Sequence, residues 1–231
     1  MNIGGFQKTS LLDYPGCISA IVWTVGCNFR CPFCYNKHLV LGAKEKLFSE
    51  DEVFSFLSKR KGLLDGVVIS GGEPLLQDDI IDFIQKIKTL GFLVKVDTNG
   101  TNPDKLRELF EKKLVDYVAM DVKAPKEKYR QLCGVNIDVS LIDSSINLIK
   151  TFAPAYEFRT TIVPDVLTKE DIVNIAKWIN GAKKYCLQQF KGDVPLLSSK
   201  LEHRFPYTRE YVLDVARAVQ PFVVSCELRG F

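Results

Sequence analysis

Apolar strand-like runs and amphipathic helix-like segments take turns along this chain from residue 18 to residue 228. The runs cover residues 18–25, 66–70, 92–97, 115–122, 156–163, 185–190 and 221–228. Between them lie segments with apolar residues at helical spacing. The first follows a capping box, Ser49 to Glu52, and carries Val53, Phe56 and Leu57 on one face. The second places Ile80, Phe83, Ile84, Ile87 and Leu90 on one stripe. Asn102-Pro103 opens a third with Leu106, Leu109 and Phe110, proline suiting a first turn. Residues 141–149, a segment capped by Thr168 to Asp171 that carries Ile172, Ile175, Ala176 and Ile179, and residues 211–219 complete the series. Strands separated by helices of this length must run parallel, because each helix carries the chain back across the sheet. The expected class is therefore α/β, with a parallel sheet either open or curled toward a barrel. No break in composition divides residues 1–231, which predicts one domain. Residues 191–206, with scattered proline, serine and basic residues, predict a mobile loop.

Composition narrows the class of protein. A hydrophobic fraction of 46% over 231 residues supplies one large core. No apolar stretch reaches the roughly 18 residues of a spanning helix. The segment Met1 to Lys8 lacks a basic region followed by an apolar core, so no signal peptide is expected and the cytoplasm is the predicted location. A net charge of +3 is too small to indicate nucleic acid. Seven cysteines, three of them bunched, argue against a secreted disulfide framework and for reduced thiols that hold a metal.

The bunched cysteines are Cys27-Asn28-Phe29-Arg30-Cys31-Pro32-Phe33-Cys34, directly after the first apolar run. Three thiolates cannot close the four-ligand shell of a structural zinc or of a fully protein-held cubane. An open coordination position is where chemistry is done. A zinc site completed by His38 is the bland alternative, although zinc sites more usually pair two Cys-x2-Cys halves. Cys17, Cys133, Cys186 and Cys226 lack ligand spacing and read as buried thiols. Arg30, Lys37 and His38 read either as a basic rim for an acidic electron donor or as a solvated loop face.

In parallel α/β folds function gathers at the C-terminal ends of strands. Here those ends are polar: Ser70-Gly71-Gly72-Glu73-Pro74, Asp97-Thr98-Asn99-Gly100, then Asp121 and Lys123. Alternation puts Lys95 with Asp97 on one face, Asp121 with Lys123, and Glu157 with Arg159 and Thr161. Charges on one face of otherwise buried strands suit a polar lumen around a zwitterionic ligand.

Cys-x3-Cys-x2-Cys with an aromatic before its last cysteine, followed by Gly71-Gly72-Glu73-Pro74 after the next strand, resembles the radical S-adenosylmethionine (radical SAM) superfamily. The opening Gly5 to Gly16, with Asp97 to Gly100, Asp121-Val122-Lys123, Leu187 to Phe190 and Leu228 to Phe231, further resembles the activating proteins of glycyl radical enzymes. The group most resembled is the anaerobic ribonucleoside-triphosphate reductase activators. The resemblance implies a partial (β/α)6-type TIM barrel with helices outside. It implies one [4Fe-4S] cluster bound by Cys27, Cys31 and Cys34, with S-adenosylmethionine chelating the remaining iron. It implies a cofactor site in which Gly71 and Gly72 allow close approach, Glu73 accepts near the ammonium and Phe33 packs on adenine. Asp97, Asp121 and Lys123 would position ribose and carboxylate, with Ser70, Thr98, Asn99 and Gln189 at the same strand ends. A monovalent cation near Asp97, Thr98 and Asp121 is implied as well.

The implied reaction is one-electron cleavage of the cofactor to methionine and a 5′-deoxyadenosyl radical, which takes a hydrogen atom from the substrate. That substrate would be a glycyl radical protein, such as an anaerobic ribonucleotide reductase, with a flavodoxin or ferredoxin-like electron donor. Radical chemistry on a small molecule, in the manner of 7-carboxy-7-deazaguanine synthase, is the alternative. A non-catalytic iron–sulfur or zinc module is the third reading. Gln188-Gln189 stand where pyruvate formate-lyase activators carry a histidine, and no insert suggests a second cluster.

Overall fold

A computed structural model of the protein describes residues 1–42 and 47–231. Its centre is an eight-stranded sheet in which the spatial order of the strands is their order in the chain. β1 (Ile3–Ser10) pairs antiparallel with β2 (Ser19–Thr24). From β2 onward every pairing is parallel, through β3 (Gly66–Gly71), β4 (Leu93–Thr98), β5 (Tyr117–Asp121), β6 (Ala155–Ile162), β7 (Tyr185–Gln189) and β8 (Cys226–Arg229). Among the described residues the ladder ends at β1 and β8 without joining them, so the barrel is partial, as expected.

The helices cover the outer face. After a short turn α1 (Lys37–Val40) come α2 (Glu50–Ser58), α3 (Ile80–Thr89), α4 (Pro103–Glu111), α5 (Tyr129–Cys133), α6 (Val139–Phe152), α7 (Lys169–Trp178) and α8 (Arg209–Val219). Both capping boxes form: Ser49 with Glu52, and Thr168 with Asp171, each satisfying backbone donors at a helix start. Asn102 caps α4 by accepting from Lys105 N at 3.1 Å. The apolar stripe of α3 buries Ile80, Phe83, Ile84 and Ile87 against outward residues of the sheet such as Val67, Ile69, Val94 and Val96.

Strand alternation then dictates what faces inward. A small apolar plug of Tyr14, Ile21, Val68, Tyr117 and Ala119 fills the lumen toward the strand starts. Above it the inward positions become ionic, with Lys95, Asp97, Asp121 and Arg159 in adjacent rows.

Two expectations need correction, and one strand was not anticipated. β1 carries Gly4-Gly5 and a polar run, so no period-2 signal marks it; Ile3 is buried while Gln7, Lys8 and Thr9 are exposed, as suits an edge strand. The last strand begins at Cys226, not residue 221, because Pro221 lacks an N–H for the ladder and lies in a 3-10 turn, Gln220–Phe222. Residues 191–206 are pinned rather than loose. Leu197 N donates to Cys34 O and Ser198 N to Pro32 O, both at 2.9 Å, while Leu196 and Leu201 are buried.

Candidate active site

The loop that carries the three cysteines leaves β2 at its C-terminal end and is fastened from several directions. Gly26 N donates to Leu39 O at 2.8 Å, and Arg30 N to Cys133 O at 2.7 Å. Gly134, with φ +69°, lets the end of α5 approach so closely that a Cβ there would lie 2.4 Å from Arg30 O. The segment between β7 and α8 supplies the two hydrogen bonds to Pro32 and Cys34. A loop held this way keeps its thiols in a fixed, largely dry setting. Cys31 is buried, and Cys27 and Cys34 are half-buried.

The thiols are not equivalent. Phe29 N donates to Cys27 Sγ at 3.3 Å, and Asn99 Nδ2 lies 4.0 Å from the same sulfur. Burial nevertheless pushes the Cys27 thiol up to about 11 and raises Cys34. Cys31 goes the other way, because the buried thiol of Cys133 donates a hydrogen bond to it. Among the described residues no three His, Cys, Asp or Glu side chains gather tightly enough for a single ion, and the zinc arrangement with His38 has no counterpart there. An iron–sulfur cluster distributes its thiolate ligands over several irons, so three soft sulfurs with N–H donors around them fit it.

Gly71 and Gly72 serve the approach of two strand-end loops. Gly71 has φ +132°, and a Cβ on it would lie 2.2 Å from Thr24 N. A Cβ on Gly72 would lie 2.1 Å from Gly26 O and 3.2 Å from Cys27 Cβ. The chain then turns at Glu73, whose N–H donates to Gly26 O at 2.8 Å. The Glu73 carboxylate is buried and accepts from Leu75 N at 3.1 Å, Thr98 Oγ1 at 2.8 Å and Asn99 N at 2.6 Å. Burial outweighs these donors and pushes its pKa up to about 7. Oε2, with one donor, retains a lone pair for a further partner. Asn99 carries the connection onward, donating from Nδ2 to Asn28 Oδ1 at 2.8 Å inside the cysteine loop.

The third part is the ionic lattice. Lys95 pairs with Asp97, and Ser70 Oγ donates to Asp97 Oδ2 at 3.2 Å. Arg159 reaches Asp97 through Nη1 at 3.3 Å and Asp121 through Nε at 2.8 Å. Lys123 Nζ donates to Asp121 Oδ2 at 2.8 Å. The cations hold the carboxyls of Asp97 and Asp121 below the ordinary carboxylate range, and Asp121 in turn keeps Lys123 protonated against the opposing effects of burial and of Arg159. Three cations thus face two carboxylates, an excess that suits an anionic group on the ligand.

Most of the residues singled out in the sequence come together: Cys27, Glu73, Thr98 and Asn99 in one hydrogen-bonded chain, and Ser70, Asp97, Asp121 and Lys123 in one lattice. Phe33 is buried in the main apolar core. Gln189 pairs with Ile162 and shares its outward row, whereas Gln188, opposite Thr161, stands on the lumen side. Three contributors lay outside the candidate set. Lys95 and Arg159 are marked by alternation with Asp97 and Glu157, and Asn28 has no signal beyond its place between ligand candidates.

The chain is similar to known proteins. A family model described as the radical SAM superfamily matches residues 21–179. The chain belongs to the radical SAM superfamily. A Methanocaldococcus jannaschii protein provisionally named as a glycyl-radical enzyme activating enzyme is 40% identical over 194 residues, 82% of this chain and 80% of its own. The pyruvate formate-lyase-activating enzyme of Clostridium pasteurianum is 29% identical over 192 residues, 79% of each. In fold, a domain of pyruvate-formate lyase-activating enzyme from Bacteroides vulgatus superposes with a TM-score of 0.57 at 17% identity, covering 71% of this chain and 99% of that one. This radical SAM protein is therefore an enzyme of the oxidoreductase kind that resembles glycyl-radical activases, and its family implies a [4Fe-4S] cluster and S-adenosylmethionine. No helix among its described residues is long and apolar enough to cross a membrane.

Proposed function

We propose that this radical SAM enzyme installs a glycyl radical on a partner protein, an anaerobic ribonucleotide reductase or a related lyase. The observation that carries the reading is the 40% identity, over most of both chains, to a protein named for that activity. The open seam between β1 and β8 supports it, since a partner's loop can enter a lumen that a closed barrel would wall off.

Cys27, Cys31 and Cys34 would hold the cluster, and Ser70 to Glu73, Asp97 to Asn99, Asp121 and Lys123 the S-adenosylmethionine. When bound, the pair supplies one-electron reductive cleavage of a carbon–sulfur bond, yielding the 5′-deoxyadenosyl radical. The chain's own residues bind, orient and shield. Oε2 of Glu73 offers an acceptor for an ammonium, and the surplus positive charge of Lys95, Arg159 and Lys123 offers a counterpart for a carboxylate. The backbone and amide donors around Cys27 favour its ionised, metal-binding form. Phe33 and Gln189 (or, by register, Gln188) complete the candidate set for adenine and ribose. A flavodoxin or ferredoxin-like protein is the proposed electron donor.

The test is anaerobic cluster reconstitution, reduction, and addition of S-adenosylmethionine with a candidate glycyl radical protein, followed by electron paramagnetic resonance. A glycyl doublet on the partner is the expected result. Cofactor cleavage with no protein radical on any candidate would sink the activase reading and favour a small-molecule substrate.

A further inference from the structure

The resemblance implies a monovalent cation held by Asp97, Thr98 and Asp121, and the residues present do not fit one. Thr98 Oγ1 is engaged elsewhere, donating to Glu73 Oε1 at 2.8 Å and accepting from Gly100 N at 3.1 Å. Asp97 faces Lys95, Arg159 and the hydroxyl of Ser70. Asp121 faces Arg159 and Lys123. With three fixed cations already on two carboxylates, an added ion would enter a lattice that carries positive charge in excess.

We infer that Arg159 is the built-in counter-cation of the cofactor site, its guanidinium bridging Asp97 and Asp121 so that the enzyme binds S-adenosylmethionine without potassium or sodium. The register fixes this placement, since Asp121 and Arg159 are direct neighbours across β5 and β6. The planar fork of the guanidinium can serve two carboxylates at once, and its charge is permanent at any working pH. Only 12% of the Arg159 side chain is exposed, so its pairs are poorly screened by salt. Lys123 and Lys95 then satisfy the outer oxygens of the two carboxylates, leaving the lattice complete in the chain itself. A mobile ion would have to be bought from solution by ordering carboxylates around it; here the strands do that ordering.

The inference rests on the cofactor reading of the site, and one binding series separates the two. S-adenosylmethionine affinity of the cluster-loaded protein is measured by equilibrium dialysis in potassium, sodium and tetramethylammonium chloride at one ionic strength. The wild-type Kd should agree within about twofold across the three salts. Arg159→Met should weaken binding at least about tenfold in tetramethylammonium, with or without recovery in potassium, while Arg159→Lys should stay indifferent to the cation. Wild-type affinity that rises about tenfold and saturates with potassium overturns the inference, as does Arg159→Met binding like wild type in tetramethylammonium. Wild-type protein that binds no S-adenosylmethionine in any salt overturns the cofactor reading beneath it. The wild-type series decides the matter even if Arg159→Met does not fold.

Discussion

Asn99 donates its backbone N–H to Glu73 Oε2 at 2.6 Å, fastening the end of β4 to the turn that follows β3. Two backbone donors, those of Leu75 and Asn99, depend on this carboxylate in a buried place. Glu73→Ala leaves both without an acceptor, and each stranded donor costs about 1–3 kcal/mol. A lowered denaturant midpoint at unchanged m-value is the expected result.

The same carboxyl sets a pH dependence. Its folded pKa, about 7, lies above the unfolded value, so the folded state binds the proton more tightly. Stability from this group is full below about pH 4.3 and is lost as pH rises through 7. Glu73→Gln removes the titration. The stability difference between variant and parent, measured by urea unfolding, should therefore move in the variant's favour by a few kcal/mol between about pH 5 and pH 8. A difference that stays flat over this interval would show that Glu73 is ionised throughout.

Cysteine substitutions separate ligand from neighbour. Cys27→Ala, Cys31→Ala and Cys34→Ala should each abolish the visible iron–sulfur absorbance and 5′-deoxyadenosine formation after anaerobic reconstitution. Cys133→Ala should keep both, because Cys133 supplies Cys31 with a hydrogen bond. Iron analysis of the four proteins is the check. Loss of iron from Cys133→Ala would make that residue a ligand and the site a four-cysteine one.

Much of this was legible because helix stripes and strand alternation are local patterns. Ile80, Phe83, Ile84 and Ile87 had only one way to be buried together, and the parallel pairing followed from the βα rhythm, although that rhythm left open whether the sheet curls into a barrel. The strand-end residues were legible for the same reason, since alternation aims Asp97, Asp121 and Arg159 at one lumen. β1 was not, because an edge strand needs no apolar alternation. The contact of Cys31 with Cys133, 102 positions apart in the chain, was not either; it depends on how α5 docks, which no local pattern encodes. Gly72 was read as space for a ligand, whereas it is already needed for the backbone of Gly26.

The far side of the lumen yields a prediction about the last strand. Glu157 is buried in β6 and accepts from Arg229 of β8 through both guanidinium nitrogens, each at 3.0 Å, and from Tyr117 at 3.2 Å. Arg229 keeps the Glu157 carboxyl below its ordinary value against the opposing effect of burial. A depressed folded pKa contributes stability that is present above the unfolded value, near pH 4.3, and is lost as pH falls through the folded one. Asp97 and Asp121 act in the same direction. Arg229→Met strands a buried carboxylate, a change that typically costs about 3–5 kcal/mol, here tempered by Lys184 at 3.8 Å. It should also lift the pH at which the protein unfolds in acid. Because β8 pairs only with β7 among the described residues, its amides should exchange with solvent faster in the variant while those of β3 and β4 hardly change. Uniform acceleration across the sheet would mean that Glu157 and Arg229 support the whole barrel rather than its final strand.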